Sequence, residues 1–191
     1  MYTPKTFSIP ELNGISNQTI EEHMKLYAGY VKNVNHIREE MKNVSDPYAK
    51  SEMQRRLGFE FGGMKNHEYY FSQFEGGANL LPDGKLKELI LKHHESVDNF
   101  IDHIKTLAMT RGVGWAMTYI DHSTDILVST WVDEQHVGQL ADVDIVLALD
   151  MWEHSFMLDY PPSQKKDYIE AFFSNLNLSL IHISEPTRQA S

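Results

Sequence analysis

Two long stretches of helical periodicity, separated by one short break, constrain the fold more than any other feature of the sequence. Residues 20–43 and 48–74 each carry apolar and aromatic side chains at intervals of three and four, which is typical of an amphipathic helix. The segment Ser45-Asp46-Pro47 interrupts the pattern between them. We therefore predict an antiparallel helical hairpin in which His23 and His67, both on apolar faces, lie opposite each other.

The first helix is predicted to start at a capping box. In the segment from Thr19 to Glu22, the threonine side chain would accept a hydrogen bond from a backbone N–H, and the glutamate side chain would accept one in return. Residues 1–15, which contain two prolines and a glycine, are predicted to be extended.

The remainder of the chain predicts a mixture of helices and strands. Glycine-rich and proline-containing segments between residues 75 and 84 mark a boundary, so we predict an N-terminal helical hairpin domain at residues 1–80 and a C-terminal α+β domain at residues 81–177. The apolar patterns predict helices at residues 85–93, 96–110 and 165–176, and strands at residues 115–120, 126–131 and 144–149. This order indicates the α+β class, with a three-stranded antiparallel sheet flanked by helices.

The composition excludes several classes of protein. The sequence of 191 residues contains no cysteine, which excludes disulfides, zinc–thiolate sites and iron–sulfur clusters and fits a reducing, cytoplasmic location. Its formal net charge of −10 argues against nucleic acid and anionic membranes as partners. No apolar run is long enough for a membrane span, and Met1-Tyr2-Thr3-Pro4 does not open a signal peptide.

Residues 178–191 are interpreted as a non-native tail. The segment from Leu178 to Arg188 has no amphipathic pattern and corresponds, codon for codon, to the translation of a common sequencing adapter. A genuine disordered tail is the alternative. These residues, including His182, are therefore left out of the predictions about fold and function.

One segment combines the residue types of a metal site with a position at the end of a strand. Asp150 and His154 follow the apolar run of residues 145–149, which reads as a buried strand. With His23 and His67 they form a set of three imidazoles and one carboxylate, which suits a first-row metal such as iron or manganese. A hydrogen-bonded core histidine, or an Asp150 that caps a helix, is the structural alternative at these positions.

Several segments, in this order along residues 1–177, resemble the iron/manganese superoxide dismutases. The most specific is Asp150-Met-Trp-Glu-His154-Ser-Phe-Met-Leu-Asp-Tyr160. The other matching segments are Tyr30-Val-Lys-Asn33, Gly62-Gly-Met-Lys-Asn-His67-Glu-Tyr-Tyr-Phe71, Ser96-Val-Asp-Asn-Phe100, Gly112-Val-Gly-Trp115 and Phe172-Phe-Ser-Asn-Leu-Asn177.

The resemblance implies an enzyme that converts superoxide to dioxygen and hydrogen peroxide. It implies one mononuclear Fe or Mn ion per subunit, with water or hydroxide as the fifth ligand. The protein ligands implied by the matching motifs are His23, His67, Asp150 and His154.

The same resemblance implies roles for residues around the metal. Tyr30 matches the family's gateway tyrosine, and Trp115 and Trp152 match the aromatic residues that keep the site dry. Glu153 matches a glutamate that reaches a ligand histidine of the partner subunit across a dimer interface. The resemblance therefore implies a homodimer, or a tetramer built from such dimers.

The spacing of the first ligand departs from the family pattern. In familiar members that ligand lies eight residues before the gateway tyrosine, whereas His23 lies seven residues before Tyr30. A helical bulge is expected to absorb the difference, and Glu22 is the alternative ligand.

The hydrogen-bond donor to the metal-bound solvent also departs from the pattern. Gly63 stands four residues before His67, where typical iron enzymes carry a glutamine. The donor is therefore expected on the segment before the third strand, with Gln135 as the first choice and His136 as the alternative.

The entrance to the site is altered as well. Met157 stands where a tyrosine is usual, and Leu26 or Tyr27 where a histidine is usual. An arginine that often follows the last motif is absent, so Lys165 or Lys166 is expected to attract the anion. These changes motivate the alternative of a non-enzymatic interaction protein of the same fold with an altered or lost metal site. A zinc hydrolase is a weaker third hypothesis.

Overall fold

The computed structural model describes residues 1–180, and within them it has the predicted α+β architecture. The helices are α1 (Asn17–Glu40), α2 (Pro47–Ser72), α3 (Lys85–His94), α4 (Val97–Ala108) and α5 (Lys165–Asn175). The strands are β1 (Gly114–Asp121), β2 (Ile126–Asp133) and β3 (Asp144–Asp150), and short 3-10 helices span Glu153–Ser155, Pro162–Gln164 and Leu178–Leu180. A helical N-terminal part precedes a three-stranded antiparallel sheet, which confirms the predicted fold class.

Only the first three residues of the predicted non-native tail belong to the described part of the chain. The 3-10 helix Leu178–Leu180 follows the last long helix, and the Leu178 N–H donates to the Asn79 carbonyl at 3.0 Å. The rest of that prediction, including His182, falls on residues 181–191, outside the described residues.

Side-chain caps mark the beginnings of the two long helices. The Ser16 hydroxyl accepts a hydrogen bond from the backbone N–H of Thr19 at 3.2 Å, and Asp46 caps α2 in the same way just before Pro47. The predicted capping box at Thr19 is therefore wrong, because the cap lies three residues earlier. The Thr19 hydroxyl is buried and donates instead to the Asp159 carboxylate at 2.7 Å.

Strand β1 lies at the centre of the sheet, whose order is β2-β1-β3. It is buried along almost its whole length, because its two neighbours pair with both edges and α4 packs against it. In the pairing of β1 with β3, Trp115 lies opposite Asp150. Residues directly opposite each other project from the same face of a sheet, with Cβ atoms about 5 Å apart. The register therefore sets the Trp115 indole beside the Asp150 carboxylate.

A side chain closes the free edge of β3. The Gln73 amide oxygen accepts a hydrogen bond from the Ala148 N–H at 2.9 Å, and its amide nitrogen donates to the Ala148 carbonyl at 2.8 Å. A glutamine amide thus satisfies the two backbone groups that an additional strand would otherwise use. Because Gln73 directly follows α2, this contact fastens α2 to β3, the elements that carry His67 and Asp150.

We expect Gln73→Ala to lower the free energy of unfolding by about 2–4 kcal/mol, because two backbone groups of β3 lose their partner at a buried position. Urea unfolding followed by circular dichroism measures this difference. Gln54→Ala is the matched control, since Gln54 is exposed on the same helix and should change the free energy by less than about 0.5 kcal/mol. Equal losses in both variants would contradict the role of Gln73.

The hydrophobic core lies between the sheet and the helices and is rich in aromatic rings. Trp115, Tyr70, Phe71 and Phe172 are almost completely buried within it. Tyr70 and Phe172 stack with their ring centroids 5.7 Å apart. Among residues 1–180, no helix combines the length and the apolar character that crossing a bilayer requires.

Candidate metal centre

Four side chains, from α1, from α2 and from the segment at the end of β3, lie close together in the interior. His23 lies on α1, His67 on α2, Asp150 at the end of β3 and His154 in the following 3-10 helix. One potential ligand atom from each lies within 4.8 Å of the other three. The Asp150 Oδ2 atom is 3.1 Å from His23 Nε2, 3.2 Å from His154 Nε2 and 3.6 Å from His67 Nε2. The structure thus brings together all four residues that the sequence predicted as ligands.

These separations match the spacing of atoms around a metal ion. Ligand atoms about 2.1 Å from a first-row ion are about 3.0 Å apart at a 90° angle and about 3.6 Å apart at 120°. The Nε2 atom of His67 is buried and has no hydrogen-bond partner among the described residues. A buried nitrogen without a partner is costly, and a metal ion at this point would satisfy it.

The pKa directions of His67, His23 and Asp150 favour a metal. The His67 Nδ1 atom donates to the Gly63 carbonyl at 2.6 Å, because a carbonyl can only accept, and this leaves the Nε2 lone pair facing the cluster. Burial, together with the nearby His23, lowers the pKa of His67 to about 3, and burial also lowers the pKa of His23. Burial alone would raise the pKa of Asp150, but His154 and His23 outweigh it and hold that pKa well below its usual range. Neutral imidazoles and an ionised carboxylate are the forms that bind metals.

The regular geometry of α1 places His23, and not Glu22, at the candidate metal centre. The helix is regular from residue 17 to residue 40, so the predicted bulge is wrong. A spacing of seven residues is only about 20° short of two full turns, which keeps His23 and Tyr30 on one face without any bulge. His23 is fully buried in the cluster, whereas Glu22 is exposed and forms an ion pair with Lys25 at 2.7 Å.

Backbone and side-chain contacts hold Asp150 in place. Its Oδ1 atom accepts a hydrogen bond from the Trp152 N–H at 2.8 Å, which leaves Oδ2 facing the histidines. Its backbone carbonyl accepts hydrogen bonds from the Ser155 hydroxyl at 3.0 Å and the Tyr168 hydroxyl at 2.9 Å. Asp150 therefore ends a strand, and the N-cap of the next 3-10 helix is Trp152 rather than Asp150.

The comparisons with known proteins agree with this arrangement. Residues 82–183 match the family model described as iron/manganese superoxide dismutases, C-terminal domain, which spans more than half of the chain. The chain belongs to the iron/manganese superoxide dismutase family. The protein named Superoxide dismutase [Fe] from Aquifex pyrophilus is 30% identical over 190 residues, covering 94% of this chain and 88% of that protein. Superoxide dismutase [Mn] from Mycolicibacterium fortuitum is 30% identical over 172 residues, covering 88% of this chain and 82% of that protein.

The similar proteins are named for both metals. Superoxide dismutase [Mn] from Corynebacterium diphtheriae is 33% identical over 126 residues, covering 65% of this chain and 63% of that protein. The relatives are thus named for either metal at about the same identity. Sequence similarity alone does not choose between iron and manganese for this member of the family.

Gln135 links Tyr30 to Trp115 by hydrogen bonds next to the cluster. It is fully buried, its amide nitrogen donates to the Tyr30 hydroxyl at 3.0 Å, and its amide oxygen accepts from the Trp115 indole N–H at 3.0 Å. The Tyr30 ring centroid lies 5.1 Å from that of His67. Of the two predicted donors, the structure thus places Gln135 beside the cluster, while the His136 ring packs against Phe59 of α2.

The absence of side chains at Gly62 and Gly63 leaves space for Gln135 and Tyr30 beside α2. A Cβ atom on Gly63 would lie 2.6 Å from the Tyr30 ring, and one on Gly62 would overlap the backbone carbonyl of Gln135. The same carbonyl accepts a hydrogen bond from Asn66 at 3.0 Å. Two adjacent glycines on one helix therefore position both halves of the Tyr30–Gln135 contact.

The aromatic residues predicted around the site form its walls. The Trp115 ring centroid lies 5.1 Å from that of His67, and the Trp152 ring stacks on His154 at 5.6 Å. Trp152 is partly exposed, and its indole N–H donates to the Glu134 carbonyl at 3.0 Å. Trp115 thus closes the inner side of the cluster and Trp152 its outer side.

The residues expected at the entrance are not members of the four-residue cluster. Leu26 and Met157 are largely exposed, whereas Tyr27 is buried and directs its hydroxyl to Glu68 at 3.3 Å. The Lys165 ammonium donates to the Thr110 carbonyl at 2.8 Å. None of these contacts brings a cation or a proton donor toward the four ligand atoms.

Sequence reasoning missed two residues that support the site. The Tyr168 hydroxyl holds the Asp150 carbonyl, and the Asn66 amide holds the Gln135 carbonyl. Asn66 directly precedes His67, so its place in the motif was an available signal. Tyr168 lies on the last helix, where nothing in the sequence pattern distinguishes it from an ordinary core residue.

Proposed function

We propose that this chain is a superoxide dismutase that binds one Fe or Mn ion through His23, His67, Asp150 and His154. The observation that carries the proposal is the cluster of three imidazoles and one carboxylate around a buried Nε2 atom without a partner among the described residues. Nitrogen and oxygen ligands of this kind suit iron and manganese. The names of the relatives, which include both metals, support the same reaction.

The bound ion would supply one-electron redox chemistry, through which two superoxide anions and two protons give dioxygen and hydrogen peroxide. The protein's part is to shape the site and to hold protons near it. Burial, followed by the charge of Asp150, raises the pKa of Tyr30 above its ordinary value, so its hydroxyl keeps its proton at neutral pH. Because that oxygen already accepts from Gln135, its own hydrogen is free to donate toward the site.

The experiment that tests the proposal combines metal analysis with activity. Protein produced in medium containing both metals is expected to carry about one Fe or Mn ion per chain and to remove superoxide. Metal-stripped protein is the control, and it should regain activity when reloaded with Fe or Mn. A folded protein that binds only zinc, or that binds iron or manganese without removing superoxide, would contradict the proposal.

We further propose a homodimer formed through the region around Glu153, and a cytoplasmic location. Glu153 is exposed directly beside His154, and the exposed apolar side chains of Leu26 and Met157 support an interface on this side. The absence of cysteine in the sequence supports a reducing compartment. Analytical ultracentrifugation tests the first part, and a purely monomeric protein at micromolar concentration would contradict it.

Gln135 and His136 are predicted to differ sharply in their effect on activity. We expect Gln135→Leu to lower the rate of superoxide removal about 10–100-fold at unchanged metal content, because Tyr30 loses its hydrogen-bond donor. The matched variant His136→Leu should retain activity within about twofold, since its ring packs against Phe59 outside the cluster. Stopped-flow assays with thermal melting as a check on folding measure both. Equal activity in the two variants would contradict the prediction.

A further inference from the structure

A pair of histidines lies where α3 meets α4, outside the candidate metal centre. His94 is the last residue of α3, and His103 lies on α4. Their ring centroids are 5.2 Å apart, and the ring planes make an angle of 43°. His94 is partly buried and His103 is exposed, so the pair can be reached from solvent.

The separation of these two rings matches that of the histidines in the candidate metal centre. There the ring centroids of His23 and His154 are 4.9 Å apart, and those of His67 and His154 are 5.6 Å apart. Histidines at those separations place their ligand atoms within 4.8 Å of one another. The separation of 5.2 Å between His94 and His103 falls between the two values, so one nitrogen of each ring can bind the same ion.

The contacts around the pair fix its position and leave its ring nitrogens free. The His94 carbonyl accepts a hydrogen bond from the Asn99 amide at 2.9 Å, and the His94 ring packs against Phe100 with a centroid separation of 5.2 Å. Asn99 lies four residues before His103, so these contacts hold the end of α3 against the face of α4 that carries His103. Within residues 1–180, the ring nitrogens of His94 and His103 form no hydrogen bond.

The charges near the pair favour a bound cation. Burial, followed by the nearby His103 and His93, lowers the pKa of His94, so its ring is neutral at pH 7. A neutral imidazole is the form that binds a metal ion. Glu95 directly follows His94, and Asp102 directly precedes His103. The net charge of −10 adds to the attraction of a cation to this surface.

We propose that His94 and His103 form a second metal site, which binds a divalent ion of the kind that imidazole prefers, with zinc as the expected occupant. Among the described residues, no third histidine or carboxylate joins the pair, so water completes the coordination of the ion. A bound ion connects the end of α3 to α4 and therefore stabilises the folded chain. This second site is independent of the proposed superoxide chemistry.

The test is a zinc titration of the full chain, with a chromogenic chelator as competitor and the Fe and Mn content measured before and after. We expect one zinc ion per chain to bind without loss of Fe or Mn. His103→Gln and His94→Gln should each weaken zinc binding at least about tenfold, because each removes one of two protein ligands. His103 is exposed, so its replacement should leave the fold intact, which thermal melting without zinc checks.

His36→Gln serves as the comparison, because His36 is exposed on α1 and its ring has no aromatic partner among the described residues. Its zinc affinity should stay within about twofold of that of the unsubstituted protein. At about 100 times the Kd, zinc should raise the melting temperature of the unsubstituted protein and of His36→Gln, but not that of His103→Gln. Equal zinc affinity in the two glutamine variants would overturn the second site. Zinc binding that is lost in Asp150→Ala would also overturn it, because the ion would then occupy the candidate metal centre.

Discussion

Asp150→Ala is expected to yield a folded chain that no longer retains iron or manganese and no longer removes superoxide. Asp150 Oδ2 is the atom shared by the three histidine contacts, at 3.1–3.6 Å from each Nε2 atom. Groups that only support a metal ligand typically account for 10–100-fold in affinity or activity. Removal of the ligand itself should therefore weaken metal binding by more than about 100-fold, which competition with a chelator measures.

The matched control is Asp144→Ala, at the other end of the same strand. The Asp144 side chain is half exposed and bonds only to His122 among the described residues, so its replacement should leave metal content and activity unchanged. Thermal melting of both metal-free variants shows whether they fold. If Asp150→Ala kept the metal and the activity of the unsubstituted protein, the assignment of the metal centre would be wrong.

Gly62→Ala is expected to destabilise the protein although alanine is the better helix former. Helix propensity alone favours alanine over glycine by about 1 kcal/mol. A Cβ atom at this position would overlap the Gln135 carbonyl, which Asn66 and the buried Gln135 side chain hold in place. Because that neighbour is backbone, we expect a net loss of about 1–3 kcal/mol in the free energy of unfolding. Displacement of Gln135 from Tyr30 should also lower activity.

Gly29→Ala provides the matched control on the other long helix. A Cβ atom on Gly29 would meet no atom within 4 Å, so this variant should be stabilised by about 0.4–1 kcal/mol. Urea unfolding of the two alanine variants side by side gives the comparison. The packing explanation would fail if Gly62→Ala were as stable as Gly29→Ala.

Local patterns in the sequence predicted most of the secondary structure. Periodicity in the first half predicted α1 and α2 to within three residues at each end, and the break at Pro47 separated them. The apolar run before Asp150 predicted β3, because a short buried strand reads as consecutive apolar residues. The cap of α1 was misplaced because the Thr19 side chain is used in a contact with Asp159, 140 residues away. No local pattern reports a partner at that distance.

The connection after β2 illustrates what could not be predicted from local patterns. Glu134 adopts a left-handed backbone conformation with φ of 52°, which redirects the chain between β2 and Gln135. Neighbouring residues in such a turn have no fixed period, so the sequence could not decide whether Gln135 or His136 faces inward. The contacts with Tyr30 and Trp115, which come from α1 and β1, decide for Gln135.

The sequence by itself determined the fold class, the two long helices and the four candidate ligands, because periodicity and short motifs are local properties. Tertiary structure decided which oxygen of Asp150 faces the histidines and which of Gln135 and His136 reaches Tyr30. Those results depend on how α1, α2 and β3 pack together. The motif from Asp150 to His154 therefore supplies half of the proposed metal ligands, and the packing of the helical hairpin against it supplies the other half.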